Sequence, residues 1–143
     1  NTVAHCGRAL RNVIVQSLRT SGLKPENIGH VHAHGLSTPK CDAEEATAIN
    51  EVFSDRGSPV PVTAAKSYFG NLGAGAGVVE LIASLLAIDK GQLFPVLNYE
   101  TPDPDCDIAV NTSLDTSPGE SVLSVNVTPQ GQASAILARK FAN

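Results

Sequence analysis

Two rhythms of apolar residues run along the chain. From Val3 to Ser21, Ala4, Ala9, Leu10, Val13, Ile14 and Leu18 recur at helical spacing with Arg8, Arg11 and Arg19 between them. This predicts an amphipathic helix with its arginines in solvent. Gly22 is its stop signal and Pro25 follows. Ile28 to Ala33 reads as a short strand. A second helix opens at Asp42, with Glu44 and Glu45 in its first turn, where carboxylates suit the positive end of the helix dipole. It continues through Ala46, Ile49 and Val52 and ends before Arg56-Gly57-Ser58-Pro59. Val60 to Ala64 predicts a second strand. A glycine-rich stretch then leads into Val78 to Asp89, which Lys90-Gly91 ends. That segment is apolar almost all the way round, which predicts a buried helix. Phe94 to Pro104 shows no period. Ile108 to Asn111, Ser121 to Val127 and Ala133 to Arg139 read as strands, with Thr116 to Glu120 as a turn. Helices alternating with strands predict a layered α/β domain.

The 143 residues are one domain's worth, and 42% are hydrophobic but only 4% aromatic, so the core must be aliphatic and alanine-rich. A net charge of -4 argues against nucleic acid as a partner, because phosphate recognition is mainly cationic. No apolar run reaches membrane-spanning length, and no basic-then-hydrophobic leader opens the chain, so no membrane role is expected. Three cysteines, Cys6, Cys41 and Cys106, form neither a disulfide framework nor a zinc-knuckle pattern, which suggests the reducing cytoplasm. A chain that begins at Asn1 and contains no methionine is expected to be a fragment, or a processed piece, of a longer product.

Three stretches carry candidate chemistry. The first is His32-Ala-His34-Gly-Leu-Ser37-Thr38-Pro39, followed by Asp42 and Glu45. It places an imidazole, which exchanges protons near neutral pH, at the carboxyl end of a strand. The second is Lys66-Ser-Tyr-Phe-Gly70-Asn71-Leu-Gly73-Ala-Gly75-Ala-Gly77-Val-Val-Glu80, and the third runs from Asn98 to Asp107. His30, His32 and His34 share one face of the strand, so a zinc site completed by Asp42 or Glu45 is one reading. Packing and hydrogen bonding along the strand is the other, and the incomplete ligand set favours it. Gly70, Gly73, Gly75 and Gly77 match neither Gly-x-Gly-x-x-Gly nor a Walker loop, so close backbone packing is the better reading. Lys66 reads as a buried ion-paired lysine rather than a Schiff-base lysine, and Cys6 and Cys106 as ordinary buried residues.

In order and spacing, these stretches resemble the C-terminal half of a β-ketoacyl-acyl carrier protein synthase, a condensing enzyme of the thiolase superfamily. The resemblance covers nearly the whole chain, residues 1–143. It implies half of a layered αβαβα fold, a mixed sheet with helices on both faces, with His34 and Asn71 close together at one edge of the sheet. It also implies a decarboxylative Claisen condensation without a cofactor or metal. A cysteine thiolate takes an acyl group from a carrier protein, malonyl-carrier protein loses carbon dioxide, and the enolate attacks the acyl thioester. Hydrogen-bond donors stabilise the charge that develops on the thioester oxygen. On this resemblance His34, Asn71 and Lys66 are the catalytic positions, and Asp42, Glu45, Thr38 and Gly70 support them. A Lys66–Glu45 ion pair is expected as scaffold. The implied partners are acyl carrier protein, acyl and malonyl thioesters, the protein's own N-terminal half, and a second copy in a homodimer of the full-length parent.

The chain departs from the family pattern at three places. Asn71 stands where the family has its second histidine. Asn126-Val-Thr-Pro129-Gln-Gly131-Gln replaces the late glycine-rich loop, and its gating phenylalanine is lost near Pro129. No cysteine here matches the nucleophile, which belongs to the N-terminal half; Cys41 occupies a position normally held by a small loop residue. Asn71 has two readings: an amide donor, as in condensing enzymes with a cysteine–histidine–asparagine triad, or decay of the site in a non-condensing partner subunit of chain-length-factor type. An unrelated zinc-dependent enzyme is the remaining rival.

Overall fold

A computed structural model describes residues 6–141. Helix α1 (Cys6–Ser21) leads through a 3-10 turn at Pro25–Asn27 to strand β1 (His30–His32). Helix α2 (Pro39–Phe53) and strand β2 (Val62–Thr63) follow, then a one-turn helix α3 (Lys66–Phe69). A 3-10 turn at Gly73–Gly75 opens helix α4 (Ala76–Lys90), and strands β3 (Ser121–Val127) and β4 (Ala133–Arg139) complete the order. The sheet order is β2-β1-β3-β4. β1 runs parallel to both of its neighbours, while β3 and β4 form an antiparallel hairpin. Residues 128–132 close that hairpin, with Thr128 N–H donating to Gln132 O at 2.8 Å and Gly131 taking φ 83°.

Alternation along the strands sorts the two faces. Val31 and Ala33 of the β1 segment and Leu123, Val125 and Val127 of β3 pack with Leu10, Ile14 and Leu18 of α1 and Ala48, Ile49 and Phe53 of α2. This is the main core, and it is aliphatic as expected. The other face carries His30, His32, Ser124 and Asn126 and lies under α4, where His32 meets Ser84 and Asn126 meets Glu80. Helices therefore cover both faces of a mixed sheet.

The strand β1 begins where two backbones cross closely. A Cβ on Gly29 would lie 2.3 Å from Pro118 O and 2.7 Å from Ser121 O, so only glycine fits. Gly29 N–H donates to Ser121 O at 3.1 Å, and the His30 ring bonds Pro118 O at 2.7 Å. The crossing fixes the register from which His34 emerges.

Several expectations change. The segment expected as a strand at Ile108 to Asn111 is no strand: a single bridge joins Val110 to Val62, made by Val62 N–H to Ala109 O and Asn111 N–H to Val62 O. Asn111 is then drawn aside, its amide donating to Leu93 O and Phe94 O. β1 and β2 are shorter than expected, and α2 starts at Pro39, where proline suits the first helical position, rather than at Asp42. The start expected at Val3 lies outside the described residues. The helix expected to be buried all round is not: Val78, Val79, Ile82, Leu85 and Leu86 of α4 are exposed. Its buried positions are Ala76, Glu80, Ser84 and Ala87. The helix turns its polar residues inward and its apolar residues outward.

Candidate active site

After β1 the chain turns at His34-Gly35-Leu36, and α2 holds that turn. Glu45 Oε1 accepts the His34 N–H at 2.7 Å and Oε2 accepts the Gly35 N–H at 3.0 Å. Asp42 Oδ1 accepts the Leu36 N–H at 3.2 Å. Gly35 takes φ 50°, and a Cβ there would lie 2.8 Å from Ala64 Cβ. The two carboxylates thus fasten the backbone that carries His34 and do not touch its ring. Burial outweighs the two N–H donors and pushes the Glu45 carboxyl up to about 7. Thr38 sits at the N-cap of α2 without a side-chain capping bond, and it gives its carbonyl to Asp42 N–H at 3.0 Å.

The ion pair expected between Lys66 and Glu45 is not formed. Lys66 pairs instead with Glu80, which lies wholly buried on the inner face of α4. The reason is geometric. Glu45 spends both oxygens on backbone N–H groups, whereas Glu80 looks across the sheet at the Lys66 ammonium. Lys66 Nζ also donates to His34 O at 2.7 Å and lies 3.4 Å from His34 Nδ1. Asn126 of β3 completes the ring of contacts: its Nδ2 donates to Glu80 Oε2 at 3.2 Å, and its Oδ1 lies 3.1 Å from His34 Nδ1. The result is a closed circuit, His34–Lys66–Glu80–Asn126, in which an ion pair is held by further hydrogen bonds, as buried charges require. Burial, and next the Lys66 charge, lower the His34 pKa.

Sequence reading missed Glu80 and Asn126 as site residues. A signal for Glu80 was available, since it is the lone charged residue between Ala76 and Ile88. Asn126 shares the alternation of Ser124 and Val122, which puts it on the α4 face.

Asn71 stands apart from this circuit. Gly70 caps α3 at φ 75°, its N–H bonding Lys66 O at 2.8 Å, and turns the chain outward. Asn71 is exposed, and its Oδ1 accepts the Gly73 N–H at 3.0 Å. It lines a cavity of about 510 Å³ together with Gly35, Asp42, Lys66, Gly70 and Leu97. The His34 ring is not in that wall, and Lys66 is the residue common to the cavity and the circuit. Among the described residues no hydrogen bond joins Asn71 to His34.

The neighbouring histidines are engaged in packing. The Ala65 N–H donates to His32 Nε2 at 3.1 Å, so the His32 proton is on Nδ1 and goes to Ser84 Oγ at 2.7 Å. Burial drives the His32 pKa down to about 3. His30 bonds Pro118 O. Burial holds the Cys41 thiol up at about 11, so it is no thiolate near neutral pH. The arginines of α1 are solvated as expected; Arg11 pairs with Glu51 at 2.8 Å on the surface.

Comparison with known proteins shows the family. Residues 1–100 match the family described as "Beta-ketoacyl synthase, C-terminal domain". The chain is similar to the 3-oxoacyl-[acyl-carrier-protein] synthase 2 of Synechocystis, 38% identical over 115 residues, which is 80% of this chain and 26% of that protein. Among solved structures it is similar to a type II polyketide-synthase ketosynthase in complex with its acyl-carrier protein, at TM-score 0.89 and 30% identity, covering 98% of this chain and 35% of that one. It is also similar to the ishigamide ketosynthase/chain length factor, at TM-score 0.88 and 26% identity, covering 95% and 34%. The chain spans about a quarter to a third of the length of these relatives.

Proposed function

The chain belongs to the family of β-ketoacyl synthase C-terminal domains, and from that premise we propose that it is the C-terminal domain of a 3-oxoacyl-acyl carrier protein synthase. The full-length protein joins acyl and malonyl thioesters by decarboxylative Claisen condensation in fatty-acid or polyketide synthesis. Its N-terminal half supplies the nucleophilic cysteine and covers the outer face of α4. Acyl carrier protein delivers both thioesters, two copies form a homodimer, and the reaction takes place in the cytoplasm. The observation that carries the reading is the circuit around His34. A histidine at the end of a parallel strand has its carbonyl held by a buried lysine–glutamate pair and its ring by Asn126, and two carboxylates pin the turn that carries it. Such a group is preorganised to exchange a proton or to stabilise charge on a thioester oxygen. Asn71 serves as the second donor, an amide where the family pattern has its second histidine.

A second reading has one specific observation in its favour. The hairpin turn at 128–132 takes the place of the family's glycine-rich loop, which suits a partner subunit that binds without condensing. Decarboxylation of malonyl-carrier protein by the full-length protein separates the two. Condensation predicts measurable turnover that His34→Ala or Asn71→Ala lowers by about a hundredfold or more, the scale for one lost oxyanion donor. Equal rates for wild type and Asn71→Ala would refute the donor role of Asn71, and no turnover in the wild type would favour the partner subunit. The isolated chain, without a matching nucleophile, is expected to condense nothing.

A further inference from the structure

The contacts of Asn126 determine which nitrogen of His34 carries the proton. Glu80 accepts the charge-assisted bond from Lys66 and is therefore a carboxylate, an acceptor only. Asn126 faces it at 3.2 Å and must present its NH₂ there, which turns its carbonyl oxygen toward His34 Nδ1 at 3.1 Å. A carbonyl cannot donate, so Nδ1 must. The rival contact is Lys66 Nζ at 3.4 Å from the same nitrogen. Lysine is a donor only, so its approach would favour a bare Nδ1. It is the weaker claimant: it is farther away, and two of its three protons already serve His34 O and Glu80.

We propose that Asn126 is a positioning residue that holds the His34 proton on Nδ1 and leaves Nε2 as a bare lone pair. Among the described residues nothing bonds Nε2. The meaning for catalysis rests on the condensing-enzyme reading. Resting His34 is then a proton acceptor. It becomes a donor toward a thioester oxygen only after Nε2 takes a proton, for example from the nucleophilic thiol: the S–H bond breaks, the N–H bond forms, and a thiolate and an imidazolium result. The imidazolium would keep its Nδ1–H bond to Asn126 Oδ1 throughout, so the ring need not turn.

Nitrogen NMR of the native protein, labelled with ¹⁵N-histidine, reads the tautomer directly and needs no activity. His34→Gln identifies the His34 signals by their loss. At pH 8 the expected wild-type spectrum has a protonated Nδ1 and a bare Nε2. In Asn126→Leu the acceptor is gone while Lys66 remains, so the two signals should exchange places. In Asn126→Asp an acceptor is retained, so Nδ1 should stay protonated. A wild type with the proton on Nε2, or on both nitrogens, overturns the proposal, as does an Asn126→Leu spectrum with no exchange. Should Asn126→Leu fail to fold, the wild type and Asn126→Asp still decide. A confirmed tautomer in a protein with no turnover would leave this inference standing and remove only the condensing reading.

Discussion

At the scale of single residues, the site is a contest between burial and hydrogen bonding, and Glu45 shows which wins. Its two backbone donors favour the carboxylate, yet full burial raises its pKa to about 7, above the ordinary carboxylate value. A carboxyl raised on folding binds more protons in the native state than in the unfolded one. Its stabilising share is therefore full below the unfolded pKa and is lost as pH rises through about 7. Glu45→Gln removes that titration. The stability of wild type minus that of the variant should fall by about 1–3 kcal/mol between pH 4 and pH 8, read from urea denaturation. A constant difference would show that the two N–H donors balance burial, and one that grows with pH would show that they outweigh it. Lys66 and Glu80 make the complementary case. Removing one partner leaves a buried charge unpaired, so Glu80→Leu or Lys66→Met alone should cost about 3–5 kcal/mol, whereas the double variant should recover most of it. A double-mutant cycle in denaturant measures the coupling, and additive losses would mean that the pair is not a unit.

Elements differ in how much of themselves the sequence discloses. The bounds of β3 and β4 were legible to the residue because two long apolar runs flank a turn-forming stretch. The α1 stripe was legible for the same reason at helical period. Short parallel strands were not. β2 is a two-residue strand whose partners lie far along the chain, so local pattern overstated it. Ile108 to Asn111 has strand-like residues, but its backbone pairs with β2 at a single bridge, and the Asn111 side chain turns to the carbonyls of Leu93 and Phe94. α3 was missed because four residues between strand and glycine give no period. In the site, His34, Asp42 and Glu45 could be grouped because they are close in sequence. The partner of Lys66 could not be chosen from sequence, since Glu45 and Glu80 are both acidic and only the fold decides which one faces the ammonium. Asn126 was out of reach for a related reason: its contact with His34 spans 92 residues.

At the scale of the whole molecule, α4 is the feature that a self-contained domain does not explain. Glu80 and Ser84 point into the fold and hold Lys66, Asn126 and His32, so this helix cannot rotate to hide its apolar side without breaking the circuit. Val78, Ile82, Leu85 and Leu86 recur at helical spacing on the outer face, and Ile136 of β4 is also exposed. An apolar face of this kind calls for a cover. The proposed cover is the N-terminal half of the full-length protein, and two charges placed on the outer face test it. Ile82→Glu with Leu86→Lys alters only positions that are 49% and 56% exposed in this chain. In the isolated chain the pair should change stability by no more than about 0.5 kcal/mol, the range for surface sites, and should reduce aggregation. In the full-length protein the same pair would bury two charged groups in an apolar interface, so soluble yield and melting temperature should fall sharply. Light scattering of the chain and thermal melts of the full-length protein read the two arms. A full-length protein that tolerates both charges would show that α4 faces solvent there too, and the layered arrangement proposed for the parent would have to place its second half elsewhere.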